Sequence, residues 1–429
     1  MELNNSLGRR EFLKASAGAT AVLSGAPAIL AQKSPNETLG VACVGVGTRG
    51  HELLRQVQEV PNTEVRVICD LYRGNIKRAK DLAKNSNAKV VREWEKAIAD
   101  PAVDVVLIAT PDFWHAPMTI AAANAKKDIY VEKGLCKTLD EAKQMRKAVH
   151  DNKVVLQLGH HYNSLPSFMK AREIYRSGEL GKVPLIRTYI DRTGEFPEWQ
   201  FFGNYDKNVM PKDAGPDTID WERFIANASK RPFDAKRFFL WRYWWEYGNG
   251  IAGDLMSHLW DSVNMVAGMG IPESAVTQGA LYFWKDGRDV PDMWNVAFDY
   301  PKQELAVTFQ CTFNNRHVGE MAQYLGRDKT LEVGPRYCNT YGAEWKPEYA
   351  EKLRKAGGGP VPPDFSFVEK AYPSGADHMR NFIDCARSRE LPRCHVGRAF
   401  EEAVTIMMSV EAYRREKKVR WDPVAEVIV

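Results

Sequence analysis

The sequence predicts an α/β protein with a doubly wound parallel sheet at its N-terminal side and a second region of mixed helices and strands. Three observations carry that prediction. Residues 39–158 alternate short apolar runs with helical stretches. The first run, Leu39 to Val44, leads into Gly45-Val46-Gly47-Thr48-Arg49-Gly50, and a helix-like stretch from His51 to Val60 follows. Residues 275–334 then read as several strands of alternating or β-branched character.

Strands are expected at 39–45, 64–69, 89–91, 104–109, 128–131 and 154–158. Six strands with short connections fit a doubly wound sheet. Asp104-Val105-Val106-Leu107-Ile108-Ala109 is nearly continuous in apolar character, as a strand buried on both faces should be. After Asn163 the texture changes, and Pro, Gly and aromatic residues crowd positions 191–250, among them Trp199, Trp221, Trp241, Trp244 and Trp245. A helical pattern returns over 252–269. The segment 338–373, rich in Pro, Gly and Lys, reads as an irregular surface excursion. Helices over 374–388 and 396–415 precede Trp421-Asp422-Pro423. The expected division is 1–33, 34–160 and 161–429, with the terminal helices able to pack back on the first domain.

The G-x-G-x-x-G run has a physical reading because strand, helix and acidic residue are in register. Gly45 permits a tight turn, Gly47 lets the backbone approach a pyrophosphate, and Gly50 allows close helix–strand packing. The helix N-terminus offers amide donors and a positive dipole end to phosphates. Asp70 ends the apolar run Val65 to Cys69, twenty residues beyond Gly50, where it would accept hydrogen bonds from ribose hydroxyls. Dinucleotide binding is expected, with Asp70 favouring NAD over NADP by repelling a 2′-phosphate. Arg73 would partly offset that preference, so NADP stays possible.

The N-terminus bears on how such a cofactor is used. Gly8-Arg9-Arg10-Glu11-Phe12-Leu13-Lys14 resembles a twin-arginine export signal, followed by the small-residue apolar stretch Ala15 to Leu30 and an Ala26-Pro27-Ala28 cleavage site. The apolar stretch is short for a membrane span, so a stable span is not expected once it is removed. The expected location is the periplasm, where no nicotinamide pool exists. A cofactor there must be held tightly and returned to its starting redox state within each cycle.

Composition bounds the rest. A hydrophobic content of 44% and a charged content of 27% are those of a globular protein, and 429 residues can hold two domains. The net charge of +4 is too small and dispersed for a nucleic-acid partner. The seven cysteines show no C-x-x-C spacing, and Cys43 and Cys69 fall inside apolar strands; Cys385 and Cys394 leave one bridge open.

Thr110-Pro111 with His115, then Glu132-Lys133, then Gly253-Asp254 with His258, resemble the Gfo/Idh/MocA oxidoreductase family. The stretch Lys230-Arg231-Pro232-Phe233 through Trp241-Arg242, and the closing Arg420-Trp421-Asp422-Pro423, resemble its secreted bacterial subgroup. The resemblance runs from about residue 39 to 425. It implies a Rossmann domain joined to an α+β domain whose large, open, mainly antiparallel sheet faces the active site and often mediates homo-oligomers. It also implies that Thr48, Arg49, Thr110, Pro111, His115, Glu132 and Lys133 join Gly45, Gly47, Gly50 and Asp70 in binding the cofactor. The activity it implies is oxidation or reduction of a carbinol on a sugar, cyclitol or related compound. Two departures stand out: Gly134 where the family usually has proline, and Tyr162-Asn163 where subgroup relatives often have arginines.

Hydride transfer from a carbinol needs a base for the hydroxyl proton and a polar group to steady the alkoxide. Lys133 follows the strand 128–131 at the carboxyl edge of the sheet, and Asp254 and His258 stand four apart on a helix. With the resemblance, His258 is expected as general base or acid, Lys133 as proton donor or alkoxide stabiliser, and Asp254 as substrate ligand and orienter of the imidazole. Candidate substrate contacts are His161, Tyr162, Arg242 and Trp244, since rings stack on sugar C–H faces and a guanidinium holds hydroxyls. His160-His161 and the Asp254/His258 spacing lack a third positioned ligand, so no metal is expected. Three functions follow in order: an oxidoreductase, a glycosidase or lyase acting through transient oxidation and elimination, and a non-catalytic sugar-binding protein.

Overall fold

The computed structural model describes residues 37–200, 209–343, 345–371 and 374–429. The twin-arginine motif and its cleavage site, within residues 1–33, lie outside them. Among the described residues the first sheet has six strands: β1 (Leu39–Val44), β2 (Thr63–Cys69), β3 (Lys89–Val91), β4 (Val105–Ile108), β5 (Asp128–Val131) and β6 (Leu156–Leu158). They pair in parallel in the order β3-β2-β1-β4-β5-β6. The crossovers carry α1 (Thr48–Gln58), α2 (Arg73–Leu82), α3 (Trp94–Ala99), α4 (His115–Asn124) and α5 (Leu139–Asn152). Every residue of β1 and β4 is buried, which is why both read as unbroken apolar runs. Helix α5 starts at a capping box between Thr138 and Glu141.

The second region opens with α6 (Pro166–Ser177), β7 (Leu185–Asp191), and two short helices, α7 (Trp221–Phe224) and α8 (Ala235–Phe239). A π-helical turn over Ala252–Met256 runs into α9 (Ser257–Ala267). Strands β8 (Ser274–Ala280), β9 (Met293–Tyr300), β10 (Leu305–Thr312), β11 (Glu320–Leu325), β12 (Lys329–Gly334) and β13 (Tyr337–Gly342) follow. The chain ends with α10 (Pro347–Ala356), β14 (Phe365–Val368), α11 (Ala376–Ser388), α12 (Val396–Arg414), β15 (Val419–Asp422) and β16 (Val427–Ile428). Ten strands form one sheet, β14-β13-β12-β11-β7-β10-β9-β8-β15-β16, antiparallel except for the β7–β10 pair. Helices α6, α9 and α12 pack on it.

Two segments differ from the sequence expectation. Residues 338–373 are not an irregular excursion: β13 and β14 extend the sheet and α10 links them. Helix α10 buries no residue and β14 is mostly exposed; Tyr349, Ala350, Leu353 and Ala356 fall at helical spacing and Phe365 and Phe367 alternate, but both runs are short and set among Pro, Gly and Lys. Strand β7, not expected from the sequence, sits centrally with Ile186, Thr188 and Ile190 alternating inward; that alternation of β-branched residues is the signal that could have found it. Helix α11 packs back on the first domain, where Met379, Phe382 and Ile383 share a core with Leu53, Leu54 and Val57 of α1. All seven cysteines are buried and free, so Cys385 and Cys394 do not pair. Among the described residues no helix is long and apolar enough to cross a membrane.

Candidate active site

The carboxyl ends of β1, β2, β4 and β5 open on a cleft of about 760 Å³, walled on the far side by residues of the second region from Arg223 to His258. Gly45 holds a φ of 80°, and a Cβ on Gly50 would sit 2.0 Å from the Gly45 carbonyl oxygen. A Cβ on Gly47 would instead point into open space, with only the Asn75 amide near, at 3.7 Å. Helix α1 begins at Gly47 without any side-chain cap, so its first-turn amides have no capping partner. Uncapped amides beside a glycine with room above it suit a pyrophosphate. Thr48, Arg49, Thr110, Pro111, Glu132 and Asp70 all line this cleft.

Several of these residues do more than line it. Asp70 accepts from the amides of Val46 and Tyr72, each at 2.8 Å, and from Asn75 Nδ2 at 3.2 Å, so it also ties the glycine turn to the end of β2. Burial pushes its carboxyl upward, against these hydrogen bonds. Arg73, expected to temper the NAD preference, is exposed and lies outside the cleft lining, where Asn75 takes its place. Arg49 bonds Glu132 at 2.7 Å and Glu52 at 2.6 Å. His115 does not reach the cleft. Its ring nitrogens meet the carbonyls of Gly134 (2.7 Å) and Thr110 (2.8 Å), so it ties together the turns after β4 and β5 rather than touching cofactor. Gly50 likewise acts through packing alone.

At the end of the cleft away from Asp70, Lys133, Asp254 and His258 come together from β5, the π-helical turn and the first turn of α9. The Lys133 ammonium donates to Asp254 Oδ1 at 2.6 Å and to the Asp254 carbonyl at 2.7 Å. Arg242 Nε reaches the same Oδ1 at 3.0 Å, and Trp199 Nε1 donates to Oδ2 at 2.7 Å. Burial alone would raise the Asp254 pKa, but Lys133 and Arg242 outweigh it and hold the carboxyl well below the usual range. The peptide joining Lys133 to Gly134 is cis.

The expected Asp254–His258 pairing is not what forms. The Asp254 carboxylate is taken instead by Lys133, Arg242 and Trp199. Asp254 therefore orients Lys133, while the His258 ring lies against Tyr162 at 5.0 Å and meets the edges of His160 and His161 at 5.5 and 5.7 Å. Among the described residues His258 Nδ1 has no hydrogen-bond partner. Burial, then Lys133 and the two neighbouring histidines, push its pKa well below 6.5, so it stays neutral. The expected pH profile follows: kcat/KM stays level as pH falls through 6.5 and declines only below that, and a midpoint at or above 6.5 would contradict this environment.

A companion expectation concerns stability. Burial pushes His161 and His258 well below 6.5 and His378 down to about 4. These groups are neutral in the fold while the unfolded chain protonates near 6.5, so the unfolded state binds more protons as pH drops. Stability is therefore full above 6.5 and lost as pH falls toward the folded values, by up to about 1.4 kcal/mol per pH unit for each histidine. His160 works the other way. Burial lowers its pKa, but its contact with the buried Glu402 outweighs that and raises it. Denaturant melts between pH 7 and 5 measure the net loss.

The four expected substrate contacts separate. His161 and Arg242 line the cleft. Tyr162 is buried behind it, with its hydroxyl donating to Glu320 at 2.5 Å, so it supports His258 rather than meeting substrate. Trp244 does not meet substrate either: it turns inward after the 3₁₀ turn Trp241–Tyr243 and packs on Tyr243 and the Arg237 guanidinium. Of the two tryptophans, Trp241 is the one that lines the cleft, with the Arg242 guanidinium 4.2 Å from its centroid. Arg192, paired with Glu198 at 2.9 Å, and Trp199 are further residues of the site. Arg192 follows β7 and escapes notice with that strand; Trp199 stands in the aromatic-rich stretch, whose crowding is the available signal. No group of three or more metal-ligating side chains with suitable geometry occurs among the described residues.

The strand order reverses between β1 and β4, and the glycine turn lies at that switch point, as in dinucleotide-binding doubly wound folds. The chain belongs to the Gfo/Idh/MocA oxidoreductase family: residues 39–160 match its NAD-binding Rossmann fold and residues 167–274 its C-terminal alpha/beta domain, together more than half of the chain. NAD is the dinucleotide this cleft takes. An uncharacterized oxidoreductase of Bacillus subtilis, YrbE, is 29% identical over 201 residues, 46% of this chain and 52% of its own length. Levoglucosan dehydrogenase of Pseudarthrobacter phenanthrenivorans is 33% identical over 138 residues, 31% of this chain and 35% of its own. Inositol 2-dehydrogenase of Salmonella typhimurium is 28% identical over 165 residues, 38% and 49% respectively. The chain thus spans only 35% to 52% of the length of these curated relatives. A solved levoglucosan dehydrogenase in complex with NADH and levoglucosan superposes with a TM-score of 0.66 at 18% identity, over 90% of this chain and 99% of that one. Aldose-aldose oxidoreductase from Caulobacter crescentus, complexed with glycerol, gives 0.64 at 16% identity, over 90% and 100%. At such identities the likeness is one of fold.

Proposed function

We propose that the protein is an NAD-dependent oxidoreductase acting on a CH–OH group of a sugar, cyclitol or sugar derivative, with its cofactor held through repeated turnovers. The observation that carries this reading is the Lys133–Asp254–Arg242 cluster, with a neutral His258 beside it, in the same cleft as the glycine turn. When bound, the nicotinamide accepts or returns the hydride. His258 takes the hydroxyl proton, and the Lys133 ammonium donates to the oxygen as charge develops on it. Asp254, kept ionised by Lys133 and Arg242, aims that ammonium and accepts from a neighbouring hydroxyl. Arg242 over Trp241 offers a cation and an apolar ring edge to a polyol. The printed substrates of the levoglucosan and inositol dehydrogenase relatives support the carbohydrate class.

Export by the twin-arginine route and assembly as a homo-oligomer through the ten-stranded sheet belong to the same reading. The test uses protein purified from the export compartment without added nucleotide. Its released NAD and NADP are quantified after denaturation, and the native near-ultraviolet spectrum is recorded as sugars and glycosides are added. Near-stoichiometric NAD, a reduced band with one sugar class and net release of a ketone or lactone is the expected result. Release of a free aglycone without net oxidation assigns the transient-oxidation route instead. Sugar binding with neither reduced band nor product assigns a binding protein, and a protein that takes up no nucleotide overturns the reading.

A further inference from the structure

The far wall of the cleft near Asp70 comes from the second region, through a segment running from Asp213 to Phe239. It is fastened to the end of β2. The Arg73 amide donates to the Thr218 carbonyl at 3.0 Å, and the Asp220 amide to the Leu71 carbonyl at 2.9 Å, so Tyr72 and Ile219 form an antiparallel bridge. The Tyr72 hydroxyl donates to Asp213 Oδ1 at 2.6 Å, and Arg92 Nη2 to the Thr218 carbonyl at 2.8 Å. Further along, Trp114 Nε1 donates to the Phe224 carbonyl at 3.0 Å, and the Tyr72 ring meets Phe239 edge-on at 5.3 Å. The segment places Arg223, Phe224, Phe238 and Phe239 in the cleft opposite Trp94 and Trp114 of the first domain.

These are the residues that a flat heteroaromatic base beside a ribose on Asp70 would meet: aromatic walls with arginines at the rim. We propose that residues 213–239 are the second half of the adenosine site, a strap across the dinucleotide that must lift from β2 before NAD enters or leaves. The proposal rests on the NAD-enzyme reading above and adds to it the element that keeps one cofactor in place from turnover to turnover. Two main-chain bonds, the Tyr72 hydroxyl bond and the Arg92 bond fasten the strap, so lifting it breaks several together and NAD release is slow.

The bridge geometry provides the test. Tyr72 and Ile219 are the non-hydrogen-bonded pair between the two main-chain bonds, a position whose Cα atoms lie about 4.5 Å apart and fall within reach of a disulfide. Tyr72→Cys with Ile219→Cys introduces that link, and the native cysteines are all buried. NAD is bound to the reduced protein, the link is oxidised, and loss of bound NAD after dilution is followed in oxidised and reduced samples. Release slower by about tenfold or more in the oxidised sample is expected, because differences of this kind fall on the off-rate. In parallel, Tyr72→Phe removes only the hydroxyl bond to Asp213, and faster release than from the parent protein is expected. Equal release from oxidised and reduced samples, with Tyr72→Phe equal to the parent, overturns the strap while leaving the NAD reading intact. If the cysteine pair does not fold, Tyr72→Phe decides alone, faster release supporting the strap and unchanged release overturning it. A parent protein that binds no NAD at all overturns the underlying reading instead.

Discussion

Lys133→Met is expected to lower the rate of hydride transfer by about 10²–10⁴-fold, the range that a positioned proton donor or acceptor contributes. The side chain is mostly buried, and its ammonium makes two hydrogen bonds, both to Asp254. Methionine keeps the length and apolar stem but supplies no donor to an alkoxide. Asp254 keeps Arg242 and Trp199, so the carboxylate is not abandoned, and the cost in stability stays below the ~3–5 kcal/mol of a buried ion left with no partner. Asp70 lies at the other end of the cleft and the Lys133 ammonium makes no hydrogen bond to the glycine turn, so bound NAD should remain near the parent stoichiometry. Single-turnover formation of the reduced band, read beside the amount of NAD released on denaturation, separates the two effects. A variant that turns over like the parent removes Lys133 from the reaction; one that loses NAD and activity together makes it a cofactor ligand first. Lys133→Arg is not expected to rescue, because the larger planar guanidinium does not fit where the compact ammonium stands and gives up a proton far less readily.

How far the chain could be read depended on whether a residue's role is local. Gly45, Gly47, Gly50 and Asp70 act within one strand–turn–helix unit, so their spacing carries their function, and β1 and β4 declare themselves by being apolar on both faces. His115 sits in a recognisable motif, but its work is to join the turn at Thr110 to the turn at Gly134, which spacing does not express. Asp254 and His258 have i,i+4 spacing, but the Asp254 carboxylate is claimed by Lys133, Arg242 and Trp199, three residues far from one another in sequence. Within the aromatic run, Trp241 and Trp244 are chemically alike. Only the 3₁₀ turn between them decides which one faces the cleft. Arg192 reaches the cleft and Trp199 reaches Asp254 from a strand end and a loop of the second region, and their place is set by tertiary packing.

Gly47→Ala and Gly50→Ala, three residues apart in one motif, are expected to fail in opposite ways. A Cβ on Gly50 would stand 2.0 Å from the Gly45 carbonyl oxygen and 2.9 Å from its carbon, both backbone atoms that cannot swing aside. The first turn of α1 would have to move off the end of β1, where Val46, Leu53 and Leu54 are fully packed. A loss of about 3 kcal/mol or more is expected, at the level of overpacking in a rigid core. Gly47 is the reverse case: its Cβ would touch nothing in the protein closer than 3.7 Å, so Gly47→Ala should melt with the parent and its helix N-cap keeps an extended backbone. The added methyl projects instead into the space over the uncapped amides of α1, where a pyrophosphate must come close to accept their hydrogen bonds. NAD affinity should fall by at least about tenfold, which is about 1.4 kcal/mol. Urea melts of the two variants without nucleotide, beside titrations with NAD, make the comparison. A Gly47→Ala protein that binds NAD as the parent does would mean that the phosphates lie elsewhere than on this turn. One that is destabilised as much as Gly50→Ala would mean that the cradle is a packing device and not a binding surface.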